Sequence, residues 1–81
     1  MIIEIKLIGT NNTDGIKLRN NLKTAMQSLK NNTKIQEIND TASILEYNNI
    51  KYTPALIING VIITQGKAMP SIDLEKFLSL I

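Results

Sequence analysis

The sequence predicts an α/β domain of order β-α-β-α-β-β-α, built on one four-stranded mixed sheet with helices on both faces. Three observations carry this. Residues 1–8 are β-branched and mostly apolar, and Ile3-Glu4-Ile5-Lys6-Leu7 alternates with the period of a strand. Leu18, Leu22, Ala25, Met26 and Leu29 recur at i, i+4, i+7, i+8 and i+11, one face of an α-helix. Asn59-Gly60 separates the apolar runs Ala55–Ile58 and Val61–Ile63, a strong hairpin signal because a type I′ turn needs φ > 0 at both central residues. Strands joined through a helix run parallel with a right-handed crossover, and a hairpin is antiparallel. A single mixed sheet satisfies both conditions.

The first strand ends at the turn-forming cluster Gly9-Thr10-Asn11-Asn12-Thr13-Asp14-Gly15. Asn12 or Thr13 can supply the N-cap oxygen of the first helix, and Asp14 suits the positive end of its dipole. Gly15 in the first turn costs helix propensity. Asn31-Asn32 is expected to end this helix. Thr33–Ile38 reads as a short strand with Ile35 and Ile38 as its apolar members. Asp40 caps a short helix carrying Ala42, Ile44, Leu45 and Tyr47, which Asn48-Asn49 breaks. Pro54 opens the third strand, where a residue without an N–H is tolerated. The fourth strand, Val61–Gln65, is closed by Gly66. Met69-Pro70-Ser71 starts the last helix, with Leu74, Phe77, Leu78 and Ile81 as its apolar face.

The composition removes whole classes of function. The chain has 81 residues, enough for one small domain spanning 1–81, and 43% of them are hydrophobic. A domain of this size buries only about 60–65% of its unfolded surface. There is no cysteine and no histidine. That excludes disulfides, thiolate metal sites, thiol chemistry and imidazole acid–base catalysis. Metal and other cofactors are not expected. The net charge of +2 is too small to argue for nucleic acid. No apolar run approaches the ~20 residues that span a bilayer, and the start lacks the pattern of a signal peptide. The expectation is a soluble cytoplasmic protein with no membrane partner.

Thr53-Pro54-Ala55-Leu56, followed by Ile57-Ile58-Asn59-Gly60, resembles the proline-containing segment of the thioredoxin superfamily. Leu7-Ile8-Gly9-Thr10 and Lys17-Leu18 are similar to what flanks that family's active-site turn. The likeness covers essentially the whole chain and is closest to the small single-domain thioredoxin-like proteins of bacteria and archaea. It implies a thioredoxin-like fold and a cis peptide before Pro54. It also implies a Cys-x-x-Cys at the strand-to-helix turn, which falls here on Asn12-Thr13-Asp14-Gly15. Asn12 and Gly15 occupy the two cysteine positions. Neither can attack a disulfide or resolve a mixed one. A second departure is Asn48-Asn49, where the loop is one residue longer than the family tends to have. On this resemblance, the double change Asn12→Cys, Gly15→Cys is expected to install a measurable oxidoreductase.

What remains is a surface. The loops 11–16, 52–54 and 66–69 are expected to meet at one edge. Asn12, Thr13, Ile16, Tyr52, Thr53, Pro54, Ala68 and Met69 are its candidate binding residues. Thr53 can present its backbone to an extended peptide, and Ile16, Tyr52, Ala68 and Met69 can form an apolar patch. The reading is a redox-inactive, non-enzymatic binding or structural module that engages a protein partner or a second copy through this surface. The alternative is a small-molecule site at the same place, for an anion at the first helix N-terminus, or a glutathione-like ligand with Thr10 or Thr13 as hydroxyl. Lys17, Arg19, Lys23 and Lys30 give the first helix a basic exterior, read as a solvated face. The carboxylates show no paired arrangement and carry no catalytic role.

Overall fold

The computed structural model describes residues 2–29 and 32–81. The elements are β1 (Ile2–Ile8), α1 (Thr13–Met26), β2 (Asn32–Ile38), α2 (Thr41–Leu45), β3 (Ala55–Ile58), β4 (Val61–Gln65) and α3 (Ser71–Ser79). They form one sheet of strand order β2-β1-β3-β4. β1 and β2 are parallel, with Ile5 opposite Ile35, while β1–β3 and β3–β4 are antiparallel. Asn59 at φ 50° and Gly60 at φ 81° make the left-handed pair that the hairpin requires. Asn59 does more than turn. Its side-chain oxygen accepts from the Glu4 N–H at 2.9 Å, and its own N–H donates to the Glu4 carbonyl at 2.8 Å. The hairpin tip is thereby bonded to β1 as though the ladder continued one residue further.

Alternation in β1 and β3 divides the core in two. Ile3, Ile5 and Leu7 with Leu56 and Ile58 face α1 and α3, where they pack on Leu18, Leu22, Ala25, Leu74 and Leu78. Ile8, Ala55 and Ile57 face the other way and join Ile38, with Ile44, Tyr47, Ile50 and Ile62 partly covering them. β3 is buried at all four positions, the pattern of a central strand covered on both faces.

Several boundaries and faces differ from the sequence reading. α1 ends at Met26, before Asn31-Asn32. Gln27 and Leu29 donate to carbonyls three residues back, and the Ser28 hydroxyl donates to the Ala25 carbonyl, so the last turn tightens and stops. Lys30 and Asn31 lie outside the described residues. β2 begins at Asn32 and is an edge strand. Ile35 is therefore 45% exposed, because no described strand flanks β2 on its outer side. On α3 only Leu74 and Leu78 are buried; Phe77 and Ile81 sit at the margin. A nine-residue helix over a four-stranded sheet presents one narrow i, i+4 stripe, and Phe77 falls beside it.

Candidate functional site

The turn between β1 and α1 is fixed from both sides. Asn12, not Thr13, is the N-cap: its side-chain oxygen accepts from the Gly15 N–H at 2.6 Å. Thr13 and Asp14 are exposed in the first turn. Gly15 is buried against the end of β1. A Cβ placed there would lie 2.3 Å from the Thr10 Cα and 2.6 Å from its carbonyl carbon, both backbone atoms. Glycine is thus required at this position for close approach, and its cost in helix propensity is the lesser effect. This sets a condition on the double cysteine variant. A side chain at residue 15 forces the helix start away from Thr10, so the two thiols cannot simply be written into the present backbone.

Thr10 is fully buried and is held by charged and amide groups. Its N–H donates to Asn39 Oδ1 at 2.7 Å, and its hydroxyl lies 3.0 Å from Glu37 Oε1 and 3.1 Å from Arg19 Nη2. Arg19 Nε pairs with Glu37 Oε1 at 2.8 Å. One expectation changes here. Arg19 is not part of a simple solvated basic face, because its guanidinium bridges α1 to β2. Glu37 pairs with Arg19, not with a second carboxylate. The Thr10 hydroxyl, enclosed by these partners, does not face a ligand. The network ties the ends of β1 and β2 together, and only the β-α-β crossover brings its four residues together. Nothing in the spacing of Thr10, Arg19, Glu37 and Asn39 announces it.

Across the sheet end lies the loop before β3. The Thr53–Pro54 peptide is cis. Pro54 is buried, while Tyr52 and Thr53 are exposed, Tyr52 at 68%. The Thr53 side chain packs over Gly9 so closely that a Cβ at Gly9 would come within 2.5 Å of the Thr53 Cβ. Gly9, at φ 69°, thus serves the turn and the contact at once. Gln65 Oε1 accepts from the N–H groups of Lys51 (2.8 Å) and Tyr52 (3.3 Å), and the Gly66 N–H donates to the Pro54 carbonyl at 2.8 Å. The loop is therefore bonded to the end of β4. Among the described residues, neither the N–H nor the C=O of Thr53 has a hydrogen-bond partner.

The predicted site residues divide accordingly. Tyr52, Thr53 and Pro54 share one loop, which Gly9 and Gly66, not among the predicted residues, contact. Ile16 is 48% exposed near the start of α1. Ala68 and Met69 are half-buried and pack against the core on the α1–α3 face, and the Met69 carbonyl accepts from Asn21 Nδ2 at 3.0 Å. They support the loop more than they line an exposed patch. No hydrogen bond joins Asn12 or Thr13 to residues 52–54 among the described residues. No group of carboxylates there could hold a metal ion, and no described helix is long and apolar enough to cross a membrane.

The chemistry available is limited by what is missing. Without a thiol there is no nucleophile for disulfide exchange, and Asn12 and Gly15 hold the turn by a cap and a close contact. No curated protein matches the chain. The family model described as Thioredoxin domain matches residues 3–79, from β1 to the end of α3. With its mixed sheet, three helices and helix-capped turn facing a proline loop, this cysteine-free chain belongs to the thioredoxin-domain family.

Proposed function

We propose that this chain is a binding module, redox-inactive, whose docking surface is the loop Tyr52–Pro54, extended by the exposed Ile16 near the start of α1. The observation that carries the reading is Thr53. It is exposed, its neighbours on both sides are bonded or buried, and its own peptide groups have no partner among the described residues. An extended peptide can satisfy both groups as a short added strand, with Tyr52 and Ile16 supplying apolar contact. The cytoplasm suits a chain with no disulfide and no described membrane-crossing helix.

The test is affinity purification from the native cell with the unaltered chain and with Tyr52→Asp and Ile16→Asp. A specific protein that is retained by the unaltered chain and lost from both variants supports the reading. Equal recovery on all three refutes it. An insulin-reduction assay should give no turnover above buffer; turnover would refute the redox-inactive reading. The small-molecule alternative predicts ligand-dependent thermal stabilisation, and a flat response across anions and glutathione analogues removes it.

A further inference from the structure

The two edges of the sheet are not alike. β4 is five residues long and its pairing slips between Leu56 and Ile57, a bulge that bends an edge away from a second sheet. β2 is seven residues long, has no proline, and pairs with β1 without a slip from Asn32 to Ile38. Six of its seven residues are exposed or half-buried.

The direction of its free backbone groups follows from the hydrogen bonds. Both peptide groups of Glu4 point to Asn59, on the β3 side of β1. Successive residues of a strand point to opposite edges, so Ile3, Ile5 and Leu7 point to β2. In the parallel register that sets Ile5 beside Ile35, the groups turned inward belong to Lys34, Gln36 and Ile38. The Gly9 N–H donating to the Ile38 carbonyl at 2.9 Å fits this pattern. Thr33, Ile35 and Glu37 therefore aim N–H and C=O outward.

We propose that β2 pairs with β2 of a second copy of this chain, antiparallel, about a twofold axis at Ile35. A twofold pairing of this kind must place one residue opposite itself. Lys34 or Glu37 on the axis would oppose like charges, and Gln36 on the axis would set Glu37 against Ile35. Ile35 on the axis opposes Ile35 to itself, Thr33 to Glu37 and Lys34 to Gln36. In this register the outward groups of 33, 35 and 37 meet their counterparts in hydrogen-bonded pairs. The two Ile35 side chains lie on the same face as Ile5, so they extend the α1–α3 core across the axis. The Glu37 carboxylate stays with Arg19, which leaves its backbone free to pair. The two Lys34 residues sit diagonally on the opposite face, each with Glu4 opposite on β1. The product is a continuous sheet of twice four strands, closed by symmetry so that it does not grow into a fibre.

The chain holds no cysteine, so Ile35→Cys carries a single thiol. Cα atoms of a hydrogen-bonded antiparallel pair lie about 5.5 Å apart, within disulfide range. The expected results are a concentration-dependent monomer–dimer equilibrium of the unaltered chain in sedimentation velocity, rapid oxidation of Ile35→Cys to a covalent dimer, and slow oxidation of Lys67→Cys in the exposed loop. Ile35→Lys should raise the dimer Kd by at least about tenfold, since it sets like charges opposite. A chain that stays monomeric at millimolar concentration, with no preference for cross-linking at 35 over 67, overturns the proposal. So does a dimer dispersed by Tyr52→Asp but not by Ile35→Lys, which would place the contact at the loop surface instead.

Discussion

The two faces of the sheet are covered by unequal means. On one, α1 and α3 lay Leu18, Leu22, Ala25, Leu74 and Leu78 over Ile3, Ile5, Leu7, Leu56 and Ile58. On the other, five residues of α2 and the turn after it bring only partly buried Ile44, Tyr47 and Ile50 over Ile8, Ile38, Ala55 and Ile57. A groove of about 380 Å³ remains there, floored by Ile57 and Ile62 and bordered by Lys6, whose ammonium lies 5.4 Å from the centre of the Tyr47 ring. The difference teaches a division of labour. The thick face holds the fold together, while the thin face carries the path from α2 to the exposed loop at Thr53.

Four substitutions test that division. Leu56→Ala, at the centre of the thick face, should cost about 3–4 kcal/mol, because a fully buried leucine leaves a cavity that its neighbours cannot close. Urea unfolding measures this, and against a total of about 5–8 kcal/mol for so small a domain it approaches loss of the fold. A cost below about 1.5 kcal/mol would mean that the face is loosely packed. Gly15→Ala should cost about 2–3 kcal/mol through overpacking against the Thr10 backbone. Gly60→Ala, whose Cβ would meet nothing within 4 Å, should cost less, about 1 kcal/mol, from its left-handed φ alone. The reverse order would show that the α1 start yields easily. On the thin face Ile44→Ala should cost only about 1 kcal/mol, since the side chain is half-exposed already. If it matched Leu56→Ala, the two faces would be equal partners.

The smallest effect is electrostatic and lies on the thin face. Hydrogen bonds from the Ser43 side chain and then its backbone N–H hold the exposed Asp40 carboxylate below its ordinary pKa. A carboxyl depressed in the folded state adds stability above its unfolded pKa of about 3.9 and loses it as the pH falls through the folded value. Acid should therefore lower the urea midpoint of the unaltered chain a little more than that of Asp40→Asn between pH 5 and pH 2, in roughly the window where the group titrates. Identical acid profiles would remove Asp40 from the account.

Much of this was legible in the residues. Alternation in β1, the helical spacing of Leu18 and Leu22, and Asn59-Gly60 before Val61 each state a local geometry, and short-range chemistry decides such elements. The missing thiols at Asn12 and Gly15 were equally plain. What escaped were the consequences of contact between distant segments. Ile35 reads only as an apolar strand member, and its exposure follows once β2 is known to be an edge. Gly15 reads as a poor helix former until Thr10 is seen against it. The Thr10–Arg19–Glu37–Asn39 network joins residues up to 29 positions apart, and Asn59 binding Glu4 spans 55. No periodicity encodes such pairs, because the crossover and the sheet order bring them together.

The close approach of Gly15 to Thr10 also limits which chemistry this scaffold can acquire. A thiol at residue 12 needs only the exchange of an exposed cap, with no displacement of the backbone. A second thiol at residue 15 needs the helix to move. A single substitution therefore produces a lone thiolate at a helix N-terminus, where its pKa falls and its reactivity rises. Such a group can attack a disulfide but has no neighbour to release the product. Asn12→Cys would thus turn the domain into a covalent snare for a disulfide that reaches the start of α1, a capture reagent made by one codon.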